Sequence, residues 1–455
     1  MKYVIVLGDG MADRPIAELG EKTPLEYAKT PVMDSLAKRG ELGLVHTIPE
    51  GMKPGSDTAN LSVLGYDPKK YYSGRSPLEA LSIGVPMKDT DVALRCNIVT
   101  LSEEEDVYEK RHMIDHSSDE ISTEDAAVLL RAVVEGLGLS WCEGETTDGT
   151  KSTDGTKNAD DVKSIESTDE QEFSYYVGTS YRHCLIWNHG EVIELAQPHD
   201  ILEQCIEHYL PAEPKLLDMM KKSYDILVNH PINIERKKKG LRPANSCWFW
   251  GAGTRPALSS FEEKTGKKGA MISAVDLLKG IAVGASMKVI EVDGANGGLH
   301  TNYEGKAQAA INVLTKENYD FVYVHLEGPD EMGHQGSVER KVQAIEWLDE
   351  RIVKPIVDGL NATGEEFRML ILPDHPTPIC IRTHSSEPVP YVLYDSRYAG
   401  SQETDVSGKS HFSNDAHNGK QDSAREILGY CEKEAEKTGV YVAEGHTMID
   451  RLMES

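Results

Sequence analysis

The sequence predicts an α/β fold into which a second, smaller α/β or α+β domain is inserted. Three observations predict it. In both outer parts of the chain, apolar runs of strand length alternate with helical patterns. The middle, residues 73–267, carries a separate set of strand candidates among helical segments. Acids and imidazoles recur just beyond the outer strands, where open α/β sheets hold their ligands. Residues 1–72 and 268–455 are therefore assigned to one discontinuous domain, and 73–267 to the insertion.

The first element is the run YVIVLGD (3–9). Its apolar core is too short for a signal peptide, and its Gly-Asp-Gly end reads as a buried strand meeting a turn. Further outer strands are expected at 287–295, 321–328, 368–375 and 390–395. Between them, 338–360 places Val342, Ile345, Leu348, Ile352 and Ile356 at helical spacing. In the insertion, strands are expected at 91–101, 173–187 and 190–195. Residues 143–172 hold ten Asp or Glu against three Lys, and TDGTK occurs twice, at 147–151 and 153–157. This stretch reads as a solvated surface insertion, too polar to offset its ordering entropy by burial.

The bulk composition bounds the partners. A formal net charge of −27 argues against nucleic acid and anionic membrane. No apolar run approaches the roughly 20 residues that span a bilayer. Seven cysteines without a CxxC pair fit reduced thiols in a cytoplasmic protein. A small anionic ligand remains compatible, because a local arginine cluster overrides the global sign. The sequence leaves the oligomeric state open.

Chemistry concentrates at the strand ends. Asp9 closes the first strand, Asp330 and His334 follow the run FVYVHLEG, and Asp374 and His375 end LILPDH. Asp330 and His334 are four apart, so one helical turn puts both on one face. His384, just before the strand at 390–395, supplies a further nitrogen. The groups sort into Asp330, His334 and His384, and Asp9, Asp374 and His375. Three mixed N and O donors in each set leave room for substrate or water at a divalent ion. The mixture suits Mn, Zn, Fe or Co better than Ca. Two such ions suit phosphoryl transfer. Upstream, PGSDTAN (54–60) offers Ser56 as a helix cap, part of a phosphate cradle or a nucleophile. The flanking pattern of a P-loop is missing.

The blocks VLGDGMADRP, PGSDTANLSVLGYDP, YYSGRSPLEALSIGV, PANSCWFWGAGTRPALSSF, GAMISAVDLLKGIAV, EGPDEMGH and LPDHPTP…THSSEPVP resemble, in order, the archaeal-type cofactor-independent phosphoglycerate mutases. That family belongs to the alkaline phosphatase superfamily. The resemblance runs over nearly the whole chain and is weakest at 102–172 and in the last 50 residues. It implies an alkaline-phosphatase-like core, an inserted substrate domain and two divalent ions, manganese foremost with Mg, Zn or Co as alternatives. It implies that Ser56 is the nucleophile, itself touching metal, and that the six strand-end residues are ligands. Glycerate must be retained mid-reaction, and bidentate arginines suit that task. Arg75, Arg95, Arg182, Arg255 and Lys268 are the candidates. His116, beside Asp115, is the candidate acid/base. Excluding water from a phosphoserine favours closure between the domains. The competing readings are a phosphatase or another phosphomutase of the superfamily, a homoserine-kinase-like relative, and a non-enzymatic metal-binding protein.

Overall fold

The computed structural model describes residues 1–139, 171–398 and 427–454. Apart from its last two positions, the acidic stretch 143–172 lies outside the described residues. Along the chain the strands are β1 (Lys2–Gly8), β2 (Glu41–Val45), β3 (Val92–Leu101), β4 (Met113–Asp115), β5 (Phe173–Tyr176), β6 (Arg182–Trp187), β7 (Ser246–Thr254), β8 (Gly269–Ile272), β9 (Lys288–Val289), β10 (Phe321–Leu326), β11 (Phe367–Leu372), β12 (Val389–Asp395) and β13 (Tyr441–Val442). Two compact units result, Met1–Tyr72 with Leu258–Ser455, and Ser73–Ala257. The second junction falls before Leu258 rather than at 268. Phe261 gives the reason: its ring packs at 4.6 Å on Phe321, at the start of β10, which ties the short helix Phe261–Thr265 to the outer sheet.

The first unit is built on an eight-stranded sheet in the order β13-β2-β12-β11-β1-β10-β8-β9. The segment from β11 to β9 is parallel, and β12 runs antiparallel to both β11 and β2. Tyr3 to Leu7 of β1 are buried on both faces, which is why that strand reads as an unbroken apolar run. Register then decides where the site forms. Gly8 of β1 sits opposite Leu326 of β10, and Leu7 sits opposite Leu372 of β11. Three neighbouring strands therefore end level, and the residues that follow them emerge together.

The expected helix at 338–360 is interrupted. An α-helix spans Val338–Leu348, a π-turn Asp349–Val353, and a second α-helix Lys354–Thr363. At the wide turn the Asp349 carboxylate accepts from the N–H groups of Val32 (3.2 Å) and Met33 (2.7 Å). It thereby caps the helix Pro31–Arg39, whose own N-cap residue Thr30 makes no such bond. The expected strand at 287–295 shrinks to Lys288–Val289, because the chain leaves the sheet edge after Ile290, whose N–H still donates to the Met271 carbonyl at 2.8 Å.

The second unit is an antiparallel sheet, β4-β3-β6-β5, with β7 also paired to β3. The expected single strand at 173–187 is the hairpin of β5 and β6, broken around Ser180 at φ 57°. Residues 190–195 form no strand, and Val192 points to solvent. The strand in their place is β7, whose Trp248 and Phe249 lie in the core of the unit. No helix among the described residues is long and apolar enough to cross a membrane.

Candidate active site

Ser56 opens the helix Ser56–Val63, and its cap position belongs to Gly55. The serine is thus freed from capping. Its Oγ lies 3.1 Å from His375 Nε2 and 3.5 Å from Asp9 Oδ2. The Asp57 carboxylate bonds locally instead, to the N–H of Thr58 at 2.8 Å and the hydroxyl of Tyr72 at 2.6 Å.

The strand-end groups converge. Asp9 Oδ1 and Asp374 Oδ2 each lie 3.5 Å from His375 Nε2. His334 Nε2 lies 3.2 Å from Asp330 Oδ2, His384 Nε2 lies 3.5 Å from Asp330 Oδ1, and the two imidazole nitrogens are 3.0 Å apart. For bonds of about 2.0–2.1 Å to one ion, tetrahedral donors stand about 3.3 Å apart. The two expected sets are not independent. His375 groups with Asp330 and His384 as well as with Asp9 and Asp374, and its ring centroid is 4.1 Å from that of His384.

The electrostatics call for cations. Burial, then the carboxylates of Asp374, Asp330 and Glu327, push the Asp9 carboxyl well above its ordinary range. Asp9 Oδ1 is buried with no hydrogen-bond partner. A buried acceptor so crowded by acids fits a divalent cation. Asp330 is pushed up by burial, yet bonds from His334 and His384 hold it well below the usual carboxylate range. The hydrogen bond to Asp330 raises His334 to about 9. Burial lowers His375, keeping its imidazole neutral and able to ligate. The donor set fits divalent metal.

Several partners of these groups escaped the sequence reading. His325 Nε2 bonds Asp9 Oδ2 at 2.9 Å, and Thr377 Oγ1 donates to Asp330 Oδ1. Lys341, wholly buried, donates to Asp13 Oδ2 (2.7 Å) and to the carbonyl of Thr377 (2.8 Å). All lie in or near the quoted blocks, but residue type alone does not reveal a partner.

Lys268 is misplaced by the sequence reading. It precedes β8, whose first residue Gly269 pairs with Phe321, the first residue of β10. Asp330 lies beyond the other end of β10, about 20 Å of strand away. The Lys268 ammonium is therefore at the wrong edge of a parallel sheet.

The second unit gathers Arg75, Arg95 and Arg182. Glu79 accepts from Arg75 Nε at 2.7 Å and pairs with Arg95 Nε at 2.9 Å. The Arg95 guanidinium stacks 4.4 Å over Trp250, and Arg182 lies 5.3 Å over Tyr181. Burial, with Arg75 and Arg182 nearby, pulls Arg95 below its ordinary value, despite Glu79. Arg255 pairs instead with Asp89, at 3.7 Å.

His116 adjoins this patch through Tyr181 (5.7 Å) and His199 (6.0 Å). Its Nδ1 is buried without a hydrogen-bond partner, 4.0 Å from Asp115 Oδ1. Two residues on, beyond Ser117, the residues Ser118, Asp119 and Glu120 hold φ of 52°, 55° and 49°, three successive left-handed residues. Asp115 ties this turn, accepting from the N–H groups of Ser117 (2.8 Å) and Asp119 (2.7 Å) and from Arg242 (3.1 Å).

A parallel-sheet edge crowded with acids and imidazoles around one serine defines a hydrolytic or phosphoryl-transfer metalloenzyme, and residues 1–416 match the metalloenzyme superfamily. The chain is 47% identical over 399 residues to the 2,3-bisphosphoglycerate-independent phosphoglycerate mutase of Methanosarcina barkeri, covering 87% of this chain and 90% of that one. It is 41% identical over 458 residues to the probable enzyme of the same name from Geobacter sulfurreducens, covering all of both. A solved Pyrococcus horikoshii protein superposes with TM-score 0.71 at 28% identity, covering 99% of this chain and 96% of that one. The chain belongs to the 2,3-bisphosphoglycerate-independent phosphoglycerate mutases.

Proposed function

We propose that the protein interconverts 3-phosphoglycerate and 2-phosphoglycerate in the cytoplasm, without 2,3-bisphosphoglycerate, through a phosphoserine at Ser56. One observation carries this reading. The Ser56 hydroxyl stands at the first turn of a helix, 3.1 Å from His375 and 3.5 Å from Asp9. Two divalent ions, manganese foremost, are assigned to Asp330, His334 and His384, and to Asp9, Asp374 and His375 with Ser56. When bound, they supply charge neutralisation at the phosphoryl group and activation of the serine.

The chain's own residues do the rest. Deprotonated Ser56 Oγ attacks phosphorus, the bond from phosphorus to the glycerate 3-oxygen breaks, and the electron pair leaves on that oxygen. His116 protonates it. Free N–H groups of the first turn hold the phosphoryl anion. His116 then takes the proton of the 2-hydroxyl as that oxygen attacks phosphorus and displaces Ser56. Ser56 enters and leaves the cycle in one protonation state, so no proton is gained or lost overall. Arg75, Arg95 and Arg182, offset by Glu79, are assigned to the glycerate carboxylate.

A phosphatase is the second reading, because the metal and serine machinery would be the same. The test is purified protein with Mn²⁺ and 3-phosphoglycerate, without bisphosphoglycerate, coupled to enolase. Steady formation of 2-phosphoglycerate is expected. No turnover under any divalent metal sinks the mutase, and phosphate release in its place promotes the phosphatase.

A further inference from the structure

An uncharged relay ties the helix of the nucleophile to Asp374, and the reaction scheme above leaves it without a task. Asn60 lies one turn after Ser56 and is wholly buried. Its Nδ2 donates to the Ser56 carbonyl at 2.8 Å and to Asp374 Oδ2 at 2.9 Å. Its Oδ1 accepts from the Tyr323 hydroxyl at 2.5 Å. Tyr323 is buried at the middle of β10.

These contacts fix the amide's orientation. The Ser56 carbonyl and the Asp374 carboxylate only accept, so both need the NH₂ group. The amide oxygen is left for the phenol, which must donate. The amide in turn limits Asp374. That carboxylate takes the N–H groups of Gly10 (3.1 Å) and His375 (2.9 Å) on Oδ1, and Asn60 on Oδ2. Held on both oxygens, it cannot rotate, and its remaining lone pairs keep fixed directions. Among the described residues, neither Asn60 nor Tyr323 bonds to Asp330, His334 or His384.

We propose that Asn60 and Tyr323 are positioning residues: Tyr323 holds the Asn60 amide in the one orientation that serves both Ser56 and Asp374, and so presets one of the two ion sites. The proposal rests on the reading of Asp9, Asp374 and His375 as ion ligands. Tyr323→Phe keeps the ring and removes only the donor. The amide then gains freedom to flip, which would set its oxygen against Asp374, acceptor facing acceptor. The ion site loses its preset geometry while the fold keeps its packing.

The test is a Mn²⁺ titration of metal-stripped protein, followed by calorimetry and by electron paramagnetic resonance of the free ion. Wild type, Tyr323→Phe and Asn60→Ala are compared. Wild type is expected to take two ions. Both variants are expected to lose about 10- to 100-fold in affinity for one ion and to keep the other. The metal-free melting temperature of Tyr323→Phe should shift by less than about 4 °C. If Tyr323→Phe fails to fold, Asn60→Ala carries the same expectation. Variants that bind both ions like wild type overturn the proposal. So do variants that weaken both ions equally in step with the metal-free melting temperature, which marks a structural role alone. Wild type taking fewer than two ions instead overturns the metal reading, and the proposal with it.

Discussion

In the first unit the charged groups of the site stand at the ends of three neighbouring parallel strands, β11, β1 and β10, held level by register. In the second unit, taken by itself, a separate cluster of arginines with His116 stands on the helix Arg75–Ser82, on β3 and β6, and in the turn after β4. The first arrangement is a property of the backbone: once the strands pair, Asp9, Asp330 and Asp374 must emerge together. The second is a property of side-chain packing, where Arg95 depends on Trp250 and Glu79 for its place. The difference teaches which changes should be absolute and which graded. Groups fixed by register should act on bond making and the arginines fixed by packing on binding, with His116, assigned to proton transfer, the exception in the second unit.

The largest expected effect is on the register side. Ser56→Ala should lower kcat by more than about 10⁴-fold, by analogy with loss of a nucleophile in other enzymes. Metal content should be unchanged, because the six other strand-end donors remain. The enolase-coupled rate and a metal analysis of the same sample check this. A variant with more than a tenth of the wild-type rate would remove Ser56 from the chemistry.

The same contrast explains what was legible in the sequence. Asp9 and Asp374 could be found because each ends an apolar run, and Asp330 with His334 because a helical turn has a fixed pitch. His325 was missed because it sits inside β10, where an apolar run hides a polar residue whose partners are Asp9 and Ser273. Thr377 and Asn60 were inside quoted blocks, but hydrogen bonds across 47 and 314 positions have no spacing signature. Lys268 stands just before its strand rather than after it, and the composition of its block carries no sign of which strand end faces the site. Stacking of Arg95 on Trp250 joins residues far apart in the chain, and no local pattern announces it. Residues 190–195 alternate like a strand, yet β3 already has β6 and β7 as its neighbours.

The next effect tests whether the register side is also braced by burial. Lys341 carries a charge in full burial, paired with Asp13, and it bonds the carbonyls of Ala12 and Thr377. Lys341→Met leaves Asp13 without its ammonium partner and frees both loops that flank the ion ligands. It should cost about 3–5 kcal/mol. Urea unfolding measures it, and a loss below about 1 kcal/mol would show that solvent or rearrangement replaces the pair.

On the packing side, Arg95→Lys keeps the charge but loses the planar stack on Trp250 and the fork toward Glu79. Hydrogen bonds to charged groups contribute about 1.5–3 kcal/mol. KM for 3-phosphoglycerate should therefore rise by roughly 10- to 100-fold, with kcat changing much less. Steady-state kinetics separate the two. A fall in kcat with KM unchanged would move Arg95 from substrate binding to the chemical step, and the contrast between the two regions would fail.

The smallest effect concerns the turn after His116. Each left-handed residue other than glycine costs about 1–2 kcal/mol, and Ser118, Asp119 and Glu120 take that conformation in succession. Asp119 and Glu120 are both exposed, but the Asp119 carboxylate accepts from the Arg242 N–H, whereas Glu120 bonds Ser117 through its backbone N–H, so replacing Glu120 disturbs least. Glu120→Gly should relieve strain and raise stability by about 1 kcal/mol, less whatever entropy the glycine adds to the unfolded chain. If the strained turn exists to aim His116, the same change should lower kcat by a few fold as the turn loosens. Thermal unfolding and kinetics on one variant then give opposite signs. Stability and kcat rising together would mean that the strain is an accident of the Asp115 clasp and that His116 needs no aiming.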